Sequence, residues 1–525
     1  MSKDTSDPER SGSDSSVQRR RFLQGVGATA ALAAAGVSVE TVAAQSEGEL
    51  TPIGQLLADM PDNWGRWGEE DELGMLNELG SEEMFRGLQA VVRGGAENIE
   101  RFTLQTPITG EAVDALVDPD TDFPTTDTGD PAFPGRPPAR KDNTADWRNA
   151  QSYGGLRFAD DRFDSPLYLQ GTSHVDALGH GWFADQDTNG DGAVDEADEQ
   201  LYNGFSAETT ATARSYDIPV DGLVDADDDG TDEVGDVSET YGLARADITN
   251  AANAGIQGRA VLLDVGREMG DEENGWLPLN EPITLQDLQD TAEAQGVEIQ
   301  ERDILLIRTG GIERVRDPEA PWHAQAEPGL KYSDEMVEFV ADMDIPYIAA
   351  DNVPVEKVQH EVTEDDLNDG REELAGTYVL PLHGAFLRNL GVTLNELLDL
   401  SDLAAACAED GIYTFLFTAA PLNIENGTGA PVNPVVTKAT AVQDDDGDDG
   451  DDDGTETGAG TETETQAETE TQMETDTETM GEPADTTTEA ETTGAGSSGF
   501  GVGSGLAALA GLAGAKAFEE HTNDE

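Results

Sequence analysis

Apolar residues gather in short runs through the middle of the chain and almost vanish after residue 440. The runs 260–265, Ile304–Ile307, Tyr347–Ala350 and 413–417 are nearly unbroken in hydrophobicity and too short for helices. That pattern predicts strands buried on both faces. Leu285–Gln295, 333–343 and 394–408 instead space their apolar residues by three and four, which predicts helices with one buried stripe. Together they predict a mixed α/β core of several hundred residues, with loop insertions. Upstream, from Leu50 to about residue 165, short helical runs alternate with Pro- and Gly-rich loops, and 118–141 reads as a long surface loop. Leu167, Tyr168 and Leu169 read as the end of a buried strand.

Directly after that run, His174, Asp176 and His180 fall within seven residues of a chain that holds 6 histidines. On a strand, His174 and Asp176 point to one face while Val175 turns into the core. Gly171 and Gly179 bracket them and permit sharp turns. An imidazole, a carboxylate and a nearby second imidazole suit a divalent metal such as zinc or manganese. The plainer alternative is a buried polar cluster that ties a turn together.

Gly171-Thr-Ser-His174-x-Asp176-x-x-x-His180 resembles the signature of the cyclase family of metal-dependent hydrolases, which includes kynurenine formamidases and isatin hydrolase. The resemblance continues through Trp64 to Asn77, 258–265, 303–310, Ala350-Asp-Asn352, Pro381-Leu-His383, Glu396, 420–423 and Gly429-Ala-Pro431, in order, covering roughly 55–440. It implies a mixed-sheet α/β core of the swivelling β/β/α type. By the same resemblance His174 and Asp176 are metal ligands, His383 and Glu396 complete the set, and His180 is the general acid/base. Gln170 stands where the family's first histidine ligand belongs, and a neutral amide oxygen binds zinc poorly, so one ion is expected rather than two. Relatives of this kind are commonly dimers or tetramers. Taken alone, His383 would be a core or capping histidine and Glu396 an acid at a helix N-terminus.

Charge narrows the partners. Asp plus Glu number 110 against 29 Lys plus Arg, a formal net charge of −81, which excludes nucleic acid and anionic membranes as natural partners. An acid-rich, lysine-poor surface suits very high salt, and the region 45–440 shares it, so a halophilic source is expected. The single cysteine, Cys407, lies in a helical run and reads as a small core residue.

Arg19-Arg20-Arg21-Phe22-Leu23 and the alanine-rich stretch behind it form a twin-arginine export signal over 1–44. The expected product is extracellular and anchored at the cell surface. The hydrolase-like domain follows over 45–440. Residues 441–497 are Asp/Gly and then Thr/Glu repeats, expected to be a disordered stalk. Residues 498–525 begin with a small apolar run that resembles a haloarchaeal sorting signal, with Ser498 in place of its proline; membrane tethering through this end is the expectation.

An acidic insertion, 185–236, follows the histidine motif. From Asp187 it offers Asp187, Asn189, Asp191, the Ala193 carbonyl, Asp195 and Asp198 at the spacing of a calcium loop, with Gly192 at the tight turn and Val194 at the apolar position. The alternative is an acidic solvated loop. A second run, 225–236, has Asp232 at the apolar position and reads as plain loop. Trp64, Trp67 and Phe158 are candidates to line a pocket, or simply core. Asp351 and Asn352 are candidates for polar contacts near it. His323 and His360 match no motif and are read as surface residues.

These features point to hydrolysis of a carbon–nitrogen bond in a small amide, formamide or lactam, as in an arylformamidase of tryptophan catabolism to kynurenine. The reading from another class is a catalytically silent, calcium-stabilised surface protein that binds a ligand on the same fold.

Overall fold

The computed structural model describes residues 52–92, 98–109, 139–143, 152–157, 159–163, 165–214, 240–271, 273–317 and 326–441, with Arg136, Ala150, Ala320 and Trp322 as single positions. The export signal, the stalk, the C-terminal segment, the 225–236 run, most of the 118–141 loop, Phe158 and His323 lie outside the described residues.

A nine-stranded sheet organises the described residues. Its strands are β1 (Ile99–Thr103), β2 (His174–Asp176), β3 (Ile256–Leu263), β4 (Ile304–Ile307), β5 (Tyr347–Ala350), β6 (Thr393–Glu396), β7 (Thr414–Ala419), β8 (Gly429–Pro431) and β9 (Val435–Ala439). Their spatial order is β1-β9-β7-β3-β4-β5-β6-β2-β8. β3, β4, β5 and β6 run parallel, and antiparallel strands flank them on both sides. Every residue of β4 and β5 is buried, as expected of strands covered on both faces.

Helices α1 (Ser81–Val92), α2 (Ile248–Ala254), α3 (Leu285–Gln295), α4 (Asp334–Asp342) and α5 (Ser401–Asp410) cover the sheet. α3 starts on a Thr284–Asp287 capping box and stops at Gly296, whose φ is +68°. α1 crosses β3 where two glycines meet: a Cβ on Gly87 would lie 2.8 Å from the Gly258 carbonyl oxygen. One apolar cluster joins Leu263, Ile307, Ala350 and Leu394 with Met336 and Leu288; a second joins Ala260, Leu306, Tyr347 and Phe415 with Leu403 and Cys407. The two are the opposite faces of the same sheet.

Three sequence expectations need correction. Leu167–Leu169 is not a strand: Leu167 and Leu169 are half-buried, Tyr168 is exposed, and pairing begins only at His174. The run 394–408 is not one helix. Thr393–Glu396 pairs in parallel with β5, Leu397 adopts φ +58°, and α5 starts only at Ser401. Trp64 and Trp67 pack against the core, with Trp64 Nε1 donating to the Arg388 carbonyl and Trp67 Nε1 to Glu78, so neither lines the cavity described below.

Candidate metal centre

β2 is the centre of the site because of whom it pairs with. It lies between β6 and β8, with Glu396 opposite His174 and Gly429 opposite Asp176. Side chains directly opposite on an antiparallel pair share a face. The register therefore brings the Glu396 carboxylate to the His174 imidazole, and Val175 turns into the core, fully buried. Hydroxyls fix the approach to β2: Ser173 Oγ donates to the Leu397 carbonyl at 2.6 Å and Thr172 Oγ1 to the Thr106 carbonyl at 2.8 Å. Gly171 and Gly179 both keep negative φ. Their role is close approach, since a Cβ on Gly179 would come 3.0 Å from the Ala246 carbonyl oxygen and closer still to Leu243.

His174 Nε2 lies 3.4 Å from Glu396 Oε2 and 3.6 Å from Asp176 Oδ1. His383 Nε2 reaches the same carboxylates from the short helix Pro381–His383, 3.2 Å from Glu396 Oε1 and 4.0 Å from Asp176 Oδ2. Ligand atoms around a tetrahedral ion with bonds of about 2.1 Å stand roughly 3.4 Å apart, so the spacing fits one ion. Among the described residues, His174, Asp176 and Glu396 are the group of His, Cys, Asp and Glu whose ligand atoms converge in this way. All three are buried, and Asp176 Oδ2 has no hydrogen-bond partner. An orphaned buried carboxylate oxygen is costly and calls for a cation.

Backbone strain gathers here. Val355, Leu380 and Leu397 adopt φ of +59°, +48° and +58°, a region bulky L-residues avoid. Leu380 precedes the His383 helix, Leu397 follows Glu396, and Val355 precedes Glu356, which grips His383. Strain of this kind persists where the surroundings over-determine a functional geometry.

The charges are strongly coupled. Burial opposes charge on both imidazoles. At His174 the hydrogen bond to Glu396 and the charge of Asp176 overcome it and raise the pKa. At His383 hydrogen bonds to Glu356 and Glu396 do the same and lift it to about 10. Burial also opposes ionisation of Glu396, but the two imidazoles hold it below the usual carboxylate range. His180 differs. Burial lowers its pKa, the charges of His383 and Arg136 lower it further, and the opposing pull of Asp176 does not compensate. A neutral imidazole here can accept a proton.

Gln170 meets the cluster through its amide nitrogen, which donates to Asp176 Oδ1 at 2.6 Å and sits 3.2 Å from His180 Nδ1. In this pose it offers a donor, whereas a metal ligand must offer a lone pair. Beyond it lies a cavity of about 300 Å³ lined by Arg136, Tyr168, Leu169, Gln170, His180, Trp182 and Thr428. The structure therefore brings His174, Asp176, His383, Glu396, Gln170 and His180 to one place. Arg136, Trp182 and Glu356 join them without having been singled out in the sequence. Arg136 is buried and donates to the Gln170 carbonyl at 2.9 Å. Nothing local marks it within its Pro-rich surroundings.

Other candidates land elsewhere. His360 is buried, not on the surface, and is bonded to Tyr332 N and Glu356. Asp351 accepts from Thr309 and Gly310, and Asn352 donates to the Pro328 carbonyl, so both brace loops and neither lines the cavity. In the 187–198 loop, Asp187 accepts from Gly190 N and Gly192 N, Asn189 from Asp191 N, and Asp191 from Ala193 N. Asp195 accepts from Ala197 N, and the buried Asp198 from Thr188, Asn189 and Asp195. Val194 is 54% exposed and anchors nothing. Asp185 is taken by Arg388 at 2.9 Å.

Residues 126–357 match the model of the cyclase family, described as "Putative cyclase". That span includes β2 and His180 but stops short of His383, which joins the site from a short helix, and of Glu396, which joins it through the sheet. Among solved structures, one described as a novel cyclase is 28% identical, covering 72% of this chain and 99% of its own, with a TM-score of 0.49. Isatin hydrolase A from Labrenzia aggregata is 16% identical, covering 67% and 99%, with a TM-score of 0.35. Isatin hydrolase A from Ralstonia solanacearum is 15% identical, covering 67% and 97%, also at 0.35. Curated proteins yield no match. The histidine motif lies inside the matched span, so the similarity to the cyclase family covers the residues around β2.

Proposed function

We propose that this protein is a metal-dependent hydrolase that cleaves the carbon–nitrogen bond of a small amide, formamide or lactam, in the manner of an arylformamidase. The observation that carries the reading is the bare Asp176 Oδ2, buried among two imidazoles and Glu396. Such a donor set suits a single zinc or manganese ion held by His174, Asp176, His383 and Glu396. A second ion is disfavoured because the Gln170 amide occupies Asp176 Oδ1. An ion bound here supplies Lewis acidity, lowering the pKa of a water toward ~7 and polarising a carbonyl.

The chain's own residues do the rest. His180, neutral and on the cavity wall, takes the proton from the attacking water as its oxygen bonds to the carbonyl carbon. It returns that proton to the nitrogen as the carbon–nitrogen bond breaks. Gln170 holds Asp176 and faces the His180 ring, and Trp182 and Tyr168 provide apolar walls for a small substrate.

Three companion proposals go with this one. The 187–198 loop takes calcium, because its hard oxygens keep the loop spacing and the loop is already folded by its own hydrogen bonds. The twin-arginine segment sends the protein outside the cell, where the C-terminal segment tethers it. In solution the chain is a homo-oligomer.

The test of the central reading is His174→Ala in high salt, assayed on a panel of linear and cyclic amides with metal content measured alongside. The expected result is loss of the ion and of hydrolysis together. Full activity with unchanged metal content would remove the hypothesis.

A further inference from the structure

Glu356 is a buried carboxylate outside the ligand set, 26 residues before Leu382 along the chain, with four donors converging on its two oxygens. Oε1 accepts from His383 N at 2.6 Å and faces His383 Nδ1 at 2.7 Å. Oε2 accepts from Leu382 N at 2.8 Å and faces His360 Nε2 at 2.9 Å. The proton on His360 can be located, because its Nδ1 accepts the backbone N–H of Tyr332 at 2.9 Å. Its ring proton therefore sits on Nε2 and points at Glu356 and at the Lys357 carbonyl, 2.7 Å away.

With its lone pairs spent on these donors, Glu356 has none left to ligate an ion. Its reach to the site runs through His383. A carboxylate facing Nδ1 keeps the proton there, so that Nε2, which faces Glu396 and Asp176, is the nitrogen whose lone pair an ion can take. His174 shows the same device with a weaker partner, its Nδ1 lying 2.7 Å from the Thr172 carbonyl.

The position of Glu356 is itself built. Val355 holds φ +59° immediately before it, and Leu330 N donates to the Val355 carbonyl at 3.1 Å. Gly329 passes so close that a Cβ would lie 2.5 Å from the Glu356 carbonyl carbon. A β-branched residue avoids that conformation, and a plain surface turn would not retain it.

From this geometry we infer that Glu356, itself oriented by His360, is a positioning residue that sets the tautomer and aim of His383 for the metal ion. The inference rests on the metal-dependent reading above. Two measurements on the full chain test it. The first is titration of metal-free protein with zinc or manganese ions, comparing the unaltered chain with Glu356→Gln. The variant should lose about 10- to 100-fold in affinity. Its metal-free melting temperature should fall as well, because its amide hydrogens would face N–H groups that the carboxylate now satisfies, so affinity is read well below that temperature. The second needs no variant: 15N-histidine spectra of the zinc-loaded unaltered chain should show His383 bound through Nε2 with its proton on Nδ1. Equal affinity in the variant, or a His383 proton on Nε2, would overturn the inference while leaving the hydrolase reading standing. Absence of zinc and manganese binding by the unaltered chain would overturn both.

Discussion

Asp351 and Asp176 are both buried at the ends of strands in one sheet, with 0% and 1% exposure, yet their carboxylates live in opposite circumstances. Asp351 follows β5 and meets three donors: Thr309 N at 2.7 Å, Thr309 Oγ1 at 2.8 Å and Gly310 N at 2.8 Å. Asp176 closes β2 and meets one, the Gln170 amide, with Oδ2 left bare. Arg308, bridging Asp264 at 2.7 Å and Glu313 at 2.7 Å, adds positive charge near the first, but burial and the Glu313 carboxylate outweigh it and push the Asp351 carboxyl up to about 7. Around the second stand two imidazoles and a further carboxylate, Glu396, whose like charge adds to the need for a cation. A buried carboxylate whose hydrogen bonds the fold has already satisfied is architecture. One that the fold leaves open has a task waiting for it.

The same substitution at the two aspartates should therefore have opposite consequences. Asp176→Asn removes a ligand without removing volume. Loss of the ion returns the water pKa from ~7 toward ~15.7, so hydrolysis should fall by more than about a thousandfold. Metal-free stability should change little, because an amide oxygen can still accept from Gln170 and Oδ2 has no hydrogen bond to lose. Asp351→Asn should do the reverse. Its amide hydrogens would face the N–H groups that the carboxylate now satisfies, at a cost of about 2–4 kcal/mol. Metal affinity should not change. Denaturant unfolding and metal titration on both variants decide the matter, and a shared outcome would erase the distinction.

The local parts of this picture were legible in the sequence, and the non-local parts were not. β4 and β5 fall where unbroken apolar runs announce them, and His174-Val-Asp176 announces its own alternation. The segment 394–408 misled because Leu394, Leu397 and Leu398 sit at helical spacing, while parallel pairing with β5 claims Thr393–Glu396. His360 carries a readable strand signal. Val358, His360 and Val362 alternate with polar neighbours, the period of a half-buried strand, and Gln359–Val362 is one. Glu356 had no local signal, since its meaning comes from contacts 26 and 27 residues away. Likewise His383 and Glu396 could be named only by family resemblance, because strand register and a short helix assemble them.

The satisfied side of the comparison also contains a titration. Glu327 is buried beside the loop that Asp351 braces; burial pushes its carboxyl up to about 7, against donation from Trp322 and Val353 N. In the unfolded chain the same group titrates near 4.5, so the folded protein holds the proton more tightly. Its contribution is therefore complete below about pH 4.5 and disappears as pH rises through about 7, amounting to at most about 3 kcal/mol. Glu327→Gln should flatten the stability profile across that window while leaving metal affinity at the β2 site untouched. An unchanged slope in the variant would mean that the pH dependence arises elsewhere.

The acidic loop 187–198 is a third case and the mildest. Its exposed carboxylates are only partly spent, while the buried Asp198 already accepts from Thr188, Asn189 and Asp195. Asp191 is exposed and accepts one backbone N–H, from Ala193 at 2.9 Å, leaving its other oxygen to water. Water already solvates such oxygens well, so gathering them around calcium gains far less than filling the hole beside Asp176. Calcium added to zinc-loaded protein should therefore stabilise it by only about 1 kcal/mol, which is roughly 2 °C in melting temperature. Loading zinc first keeps the added ion from acting at the β2 site. Asp191→Ala should abolish the calcium increment and, because the side chain supports one hydrogen bond at the surface, leave the calcium-free melting temperature within about a degree. A calcium increment that survives in the variant would place the ion elsewhere and leave this loop an acidic, solvated connection.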